Sequence, residues 1–426
     1  MWSAACATSP SVTIETLPPG AVPPGPAVTA FNAEAELARG RFLEVQSYLE
    51  RMPSRERESA ANLALYGRAL FARGDLAGAR RALEGAIARS AAGPARAEAE
   101  WALAQAMVLA DDFRQAAGHA AEAVRMGLSL SPGFIRFLES LSGARLYAGP
   151  SLGQRLEAGF ETGLYDLIQV PILVNGRPVT AILDTGASYC IVTRSFAREA
   201  GLEEIAESEA YGLGLHQKPI PLTFGLVRRL SLAGAELSTV PVMVMPDDAL
   251  SFETARGRLP ISMVLGLHLL KNFSIEIDYT HRHLALTRIA EQAFRGDPGQ
   301  NLFFARGKVM ARVSVDGSPW TLFLLDSGSE LTMLTSGGVQ RLGLRTAVGF
   351  FPKRVEGIGK SRVAWGKVGR VSVGVAGRRL RFRDMVVAET EETLEDGVLG
   401  SSALLHFRVT IDFGSMRLRL EEPARP

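Results

Sequence analysis

The sequence predicts a multidomain α + β chain: an N-terminal α-helical repeat region, then two all-β lobes in tandem that form a pseudo-dimer. Three observations predict this. Residues 30–142 are rich in Ala, Leu, Arg and Glu, with apolar positions at helical spacing. Beyond residue 163 the pattern changes to short β-rich runs broken by turn residues. Within those runs, Ala181-Ile-Leu-Asp-Thr-Gly-Ala-Ser188 and Phe323-Leu-Leu-Asp-Ser-Gly-Ser-Glu330 nearly repeat each other, 142 positions apart.

The 426 residues allow about three domains at roughly 150 residues each. A hydrophobic share of 47% and a charged share of 22% are ordinary for a globular protein. The net charge of +2 gives no global reason to bind nucleic acid, and Arg is interleaved with acidic residues. No stretch reaches the roughly 18 apolar residues of a membrane-spanning helix, so no integral membrane segment is expected. With only Cys6 and Cys190, neither a structural disulfide nor a thiolate metal site is expected.

Residues 1–29 are proline-rich, nearly uncharged and aperiodic, which predicts an unstructured tail. Within it, Ser3-Ala-Ala-Cys6 fits two readings, the end of a bacterial lipoprotein signal or the plain start of a cytoplasmic chain. The sequence does not choose between them, so compartment stays open.

In the helical region, Gly40-Arg-Phe42, Gly74-Asp-Leu76 and Asp111-Asp-Phe113 each join two helical segments. Apolar or small residues then recur in step, Val45 with Ala79 and Ala116, Leu49 with Leu83 and Ala120. The period of about 34 resembles the tetratricopeptide repeat. Leu63, Gly67, Leu70, Gly74, Ala79, Leu83 and Ala86 match most of that pattern, while Ala104 and Asp111 stand where glycines are usual. A generic stack of helical hairpins fits the same spacing. Residues 143–163, with several glycines and Pro150, read as a linker.

The lobes are expected over 164–292 and 300–422. Each contains four landmarks in the same order. An Asn175-Gly176 or Asp316-Gly317 hairpin comes first, between Leu167–Val174 and Val179–Leu183 or between Val309–Val315 and Trp320–Leu325. Next are the loops at Asp184 and Asp326, then Tyr211-Gly-Leu-Gly214 and Glu356-Gly-Ile-Gly359. Val264-Leu-Gly266 and Val398-Leu-Gly400 follow, leading into Ile275–Tyr279 and Val409–Phe413. Gly266 and Gly400 are expected to pack closely behind the aspartate loops.

Asp184-Thr-Gly-Ala187 and Asp326-Ser-Gly-Ser329, each with its later apolar-apolar-glycine, resemble the retropepsin-like aspartic proteases, particularly the bacterial members. The resemblance spans residues 164–422. It implies one lobe per copy, with Asp184 and Asp326 meeting at a pseudo-twofold axis and sharing one proton, because two adjacent carboxyls cannot both ionise cheaply. The implied activity is peptide-bond hydrolysis through a water activated by that pair, with no cofactor and no metal. The substrate would be a peptide or protein, and a monomer would suffice because both aspartates lie in one chain.

Further roles follow from the same resemblance. Thr185 and Ser327 would hydrogen-bond to the opposite loop, and Gly186 and Gly328 would let backbone amides approach the carboxylates. Ala187 offers no side-chain donor, whereas Ser329 could donate to a carboxylate and favour its ionised form. Tyr211, Gly212, Gly214, Gly357 and Gly359 are candidate flap residues, with ordinary tight turns as the alternative. The helical repeats would recruit substrate or a protein partner. The competing function is a peptide-binding scaffold that keeps the fold without hydrolysis. A phosphotransferase using Asp-Thr-Gly as a phosphate loop is disfavoured, since no nucleotide-binding pattern accompanies it.

Remaining signals read as structural. His281 and His283 flank a turn, Asp278 and Asp412 fall in late strands, and Cys190 sits in an apolar run.

Overall fold

The computed structural model describes residues 12–16, 31–163, 166–210, 220–254, 257–290, 299–318, 320–355, 362–389 and 394–423. Helices run Ala33–Ala38, Phe42–Glu50, Ser54–Arg57, Ala60–Ala72, Leu76–Arg89, Pro94–Leu109, Phe113–Arg125 and Pro132–Ser140. Their starts follow local chemistry. Asp75 accepts a hydrogen bond from the Gly78 amide and Asp112 from the Gln115 amide, satisfying donors that a helix N-terminus leaves free. The in-step positions Val45, Ala79, Ala116, Leu49, Leu83 and Ala120 are all fully buried. A side chain at Gly67 would lie 2.6 Å from Leu83 Cγ, so that glycine lets neighbouring helices close on each other.

Each lobe is a barrel-like sheet with the same topology. In the first, Met263–Leu265 lies parallel to Arg177–Leu183 and antiparallel to Cys190–Thr193. In the second, Gly397–Leu399 lies parallel to Thr321–Leu325 and antiparallel to Met333–Thr335. Ile168–Val174 pairs with both Arg177–Leu183 and Ile220–Leu232. Lys308–Val315 correspondingly pairs with both Thr321–Leu325 and Arg362–Val375. The two predicted hairpin turns are present, with φ of 49° and 84° at Asn175 and Gly176 and of 50° and 75° at Asp316 and Gly317. Positive φ at both positions suits the right-handed twist of the flanking strands.

A third sheet is built jointly. Arg155–Gly159, His283–Arg288, Phe273–Asp278, Arg408–Asp412 and Arg417–Glu421 lie side by side, and Ile275 faces Ile411 across the seam between lobes. Asp278 and Asp412 each accept amide hydrogen bonds from the turns that follow, from His281 and from Gly414, consistent with a structural role.

Two expectations need correction. Within the supposedly unstructured residues 1–29, Val12–Thr16 adds an antiparallel strand to Arg378–Ala388. Its alternation turns Val12 and Ile14 toward the core, while Glu15 reaches Arg381 at 2.7 Å. Proline content hid that short period-two pattern. Within the supposed linker 143–163, Arg155–Gly159 and Glu161–Thr162 are strands, anchored by buried Leu156 and Phe160.

The helices pack on both lobes. On the first, Phe137 stacks on Phe224 at 4.2 Å between ring centroids, and Lys271 reaches Asp111 at 2.7 Å. On the second, Phe42 packs against Phe303 and Arg312 pairs with Glu44 at 3.2 Å. Asp111 and Lys271 are only 13% and 9% exposed, so removing the ammonium takes the cation away from a nearly buried carboxylate. Lys271→Met should therefore cost about 3–5 kcal/mol in urea unfolding. The double variant Asp111→Asn/Lys271→Met should recover much of that loss.

Candidate active site

The two aspartates end equivalent strands, and each backbone is pinned in the same way. The Asp184 amide donates to the Leu265 carbonyl at 3.0 Å, and the Asp326 amide to the Leu399 carbonyl at 3.1 Å. Behind each loop a one-turn helix points its amides at loop carbonyls. Leu267 and His268 donate to Ala187 and Ser188, while Ser401 and Ser402 donate to Ser329 and Glu330. Gly266 and Gly400 make these approaches feasible. A Cβ at Gly266 would meet the Tyr189 carbonyl oxygen at 2.2 Å, and one at Gly400 the Leu331 oxygen at 2.4 Å.

The loops then lock to each other. Thr185 Oγ1 donates to the Leu325 carbonyl at 2.7 Å and accepts from the Ser327 amide at 3.1 Å. Ser327 Oγ donates to the Leu183 carbonyl at 2.8 Å and accepts from the Thr185 amide at 3.1 Å. Both hydroxyls are buried, Thr185 at 1% and Ser327 at 0% exposure, so water cannot substitute for either bond.

Above this lock the carboxyls meet in a shared hydrogen bond. Each also lies over the opposite glycine. A Cβ on Gly186 would come within 2.5 Å of Asp326 Cγ, and one on Gly328 within 2.3 Å of Asp184 Cγ. No larger residue fits at either place. Asp184 is buried and Asp326 half-buried.

Burial raises both carboxyls above the ordinary carboxylate range. Asp326 is pushed well above it, because the neighbouring Asp184 charge adds to desolvation. Asp184 rises less. It is steadied by the hydrogen bond from Asp326 and by the amides of Gly186 and Ala187, at 2.7 Å and 3.1 Å on Oδ1. Asp326 Oδ1 receives the Gly328 amide at 3.0 Å.

This reverses one expectation about the fourth loop position. Ser329 does not donate to a carboxylate, because its hydroxyl turns to the Leu331 carbonyl at 3.1 Å. The extra donor is instead the backbone amide of Ala187 in the other copy, which side-chain chemistry could not reveal.

The structure also adds residues that sequence reasoning passed over. The Lys308 ammonium acts on both carboxyls and opposes their rise. His268 lies flat on Tyr189 at 4.3 Å, and burial drives its imidazole down to about 3, so it stays neutral. Cys190, which the sequence already marks as structural, accepts the Gly266 amide, and burial pushes its thiol up to about 12. Tyr211, Gly212, Gly214, Gly357 and Gly359 lie outside the described residues. Among the described residues, no group of three or more His, Cys, Asp or Glu could hold a metal ion.

The sequence pattern of the aspartyl protease family matches residues 170–269 and again 311–403, one match per barrel. The tandem lobes belong to the aspartyl protease family. No curated protein matches the chain. Among solved structures, it is similar to a retropepsin-like aspartic protease from Rickettsia conorii, at 17% identity and a TM-score of 0.22, covering 34% of this chain and 97% of that one. It is also similar to an aspartic proteinase from Irpex lacteus, at 11% identity and a TM-score of 0.40, covering 64% and 98%. In the protease lobes the matched stretches contain both aspartate loops and both later glycines, Gly266 and Gly400.

Two consequences can be measured. Thr185→Val leaves the Leu325 carbonyl and the Ser327 amide without partners, and should cost about 2–3 kcal/mol in urea unfolding. Ser327→Ala should cost a similar amount, and the double variant less than the sum, because both substitutions break one lattice. The second consequence concerns pH. A carboxyl raised on folding binds its proton more tightly when folded, so stability falls as pH climbs from the unfolded value of about 3.9 through the folded one. Asp326→Asn removes that penalty. Its melting temperature should exceed that of the parent at pH 7, and the gap should close near about pH 3.

Proposed function

We propose that the protein is an aspartic-type endopeptidase that hydrolyses peptide bonds through a water held between Asp184 and Asp326. The observation that supports this most is the reciprocal lock of Thr185 and Ser327, which holds the Asp184 and Asp326 carboxyls beside each other. A single acidic group in a cleft could serve binding alone. Two that share one proton are built for general acid–base work.

The unequal environments suggest how the work is divided. Asp184, with two backbone amides on one oxygen, is the ionised member. Asp326, with one amide and the greater rise, holds the shared proton. Asp184 takes a proton from the water as its oxygen attacks the scissile carbonyl carbon. Asp326 gives its proton to the carbonyl oxygen, and a tetrahedral diol results. As the diol collapses, one of its hydroxyls returns a proton to Asp326 while Asp184 gives its proton to the leaving nitrogen, so the pair ends as it began. An extended peptide or protein segment lying between the lobes is the substrate, and a monomer contains both acids.

The helical region gives this enzyme its second surface. Phe42–Glu50 packs on Ala60–Ala72, from which Leu76–Arg89, Pro94–Leu109, Phe113–Arg125 and Pro132–Ser140 follow as successive neighbours, and Glu122 and Arg125 lie on a solvent-exposed face. That face is assigned to recruiting substrate or a protein partner. The alternative function is a peptide-binding scaffold with the same fold and no hydrolysis.

Both are separated by incubating the full chain with a mixed peptide library between about pH 3 and pH 8. Asp184→Asn and Asp326→Asn should each lower cleavage by about 10³-fold or more, within the range general acid–base catalysis supplies. Cleavage that survives either single change overturns the shared pair. Peptide retention without cleavage by the parent protein selects the scaffold.

A further inference from the structure

The hairpin that opens the second lobe reaches across to the first. Its strands, Leu302–Ala305 and Lys308–Val315, are joined by Arg306 and Gly307 at φ of 50° and 71°, a two-residue turn. The turn lies against the first aspartate loop, since a Cβ on Gly307 would sit 3.4 Å from Ser188 Oγ. Lys308 therefore stands where the second lobe overhangs the Asp184 loop. It is half-buried, and among the described residues no ion pair holds its ammonium elsewhere. Its charge acts on both Asp184 and Asp326.

Other charged or titratable groups around the pair do not compete for this role. Glu330 belongs to the second aspartate loop and has the wrong sign, and Arg306 is at the exposed hairpin tip. Behind the first loop, Lys271 is tied to Asp111 and His268 is neutral. Nor is the lysine a feature of the duplicated fold. At the same distance before the corresponding hairpin turn, the first lobe has buried Leu167. One half of the pseudo-dimer thus supplies a cation to a pair of acids that both halves share.

We propose that Lys308 is a positioning residue for charge, a half-buried cation that sets the pH range in which the Asp184–Asp326 pair can share a single proton. The inference rests on the endopeptidase reading and extends it to a residue outside both motifs. A cation favours the ionised forms, so its loss lets both carboxyls rise. In Lys308→Met both limbs of the pH profile of kcat/KM should move to higher pH by about half a unit or more, while Lys308→Arg keeps the parent profile. A Lys308→Met enzyme whose limbs coincide with those of the parent overturns the proposal.

A second measurement needs no turnover. In thermal unfolding at pH 7, the stabilisation given by Asp326→Asn should be larger in a Lys308→Met background than in the parent, because the pair is costlier to ionise without the cation. Equal stabilisation in both backgrounds rejects the role of Lys308. If the parent cleaves no peptide, the endopeptidase reading fails, and this comparison still decides whether the lysine governs the pair.

Discussion

Two carboxyl groups that would repel each other in water sit side by side here because the backbone beneath them cannot move apart. Thr185 and Ser327 each span the seam with one donated and one accepted hydrogen bond, all four out of reach of solvent. Breaking any of them leaves a buried donor or acceptor unsatisfied, so the lattice resists partial opening. The position of one lobe against the other is thereby fixed to the tolerance of a hydrogen bond. Acid–base chemistry between the lobes requires that tolerance.

Larger structures bear on the same seam. The joint sheet continues through Phe273–Asp278 and Arg408–Asp412, so backbone pairing connects the lobes over several residues. The helices brace from outside, with Phe137 and Asp111 against the first lobe and Phe42 and Glu44 against the second. From Asp111 the brace reaches Lys271, at the end of the short helix whose first amides hold the Asp184 loop. The helical region is thus part of the same packed body as the lobes.

Duplication makes the scaffold symmetric, and small departures from symmetry give its halves different chemistry. Ala187 offers Asp184 a second amide, while the Ser329 hydroxyl is taken by the Leu331 carbonyl. The hairpin carrying Lys308 reaches the first aspartate loop, and buried Leu167 holds the matching place of Lys308 in the other lobe. Each difference is worth little energy alone, yet a proton shared by two near-equivalent oxygens responds to small differences in field.

Much of this was legible along the chain. The duplicated aspartate loops, the Asn-Gly and Asp-Gly turns and the in-step helical positions are local patterns, and local patterns obey local sterics. Positive φ selects Asn, Asp and Gly, and helical spacing selects a buried face. The strand at Val12–Thr16 was missed because five alternating residues are a weak signal beside so many prolines, and an edge strand gains stability only from the sheet it joins.

By itself the sequence determined the two lobes, the helical region and the identity of the two acids, because each is written in consecutive residues. Tertiary structure alone decided which donors reach which acid, that Ser329 turns away, that the hairpin carrying Lys308 reaches the first aspartate loop and that the helices grip both barrels. Those outcomes depend on distances between residues remote in the chain, where a few tenths of an ångström separate a hydrogen bond from an empty contact.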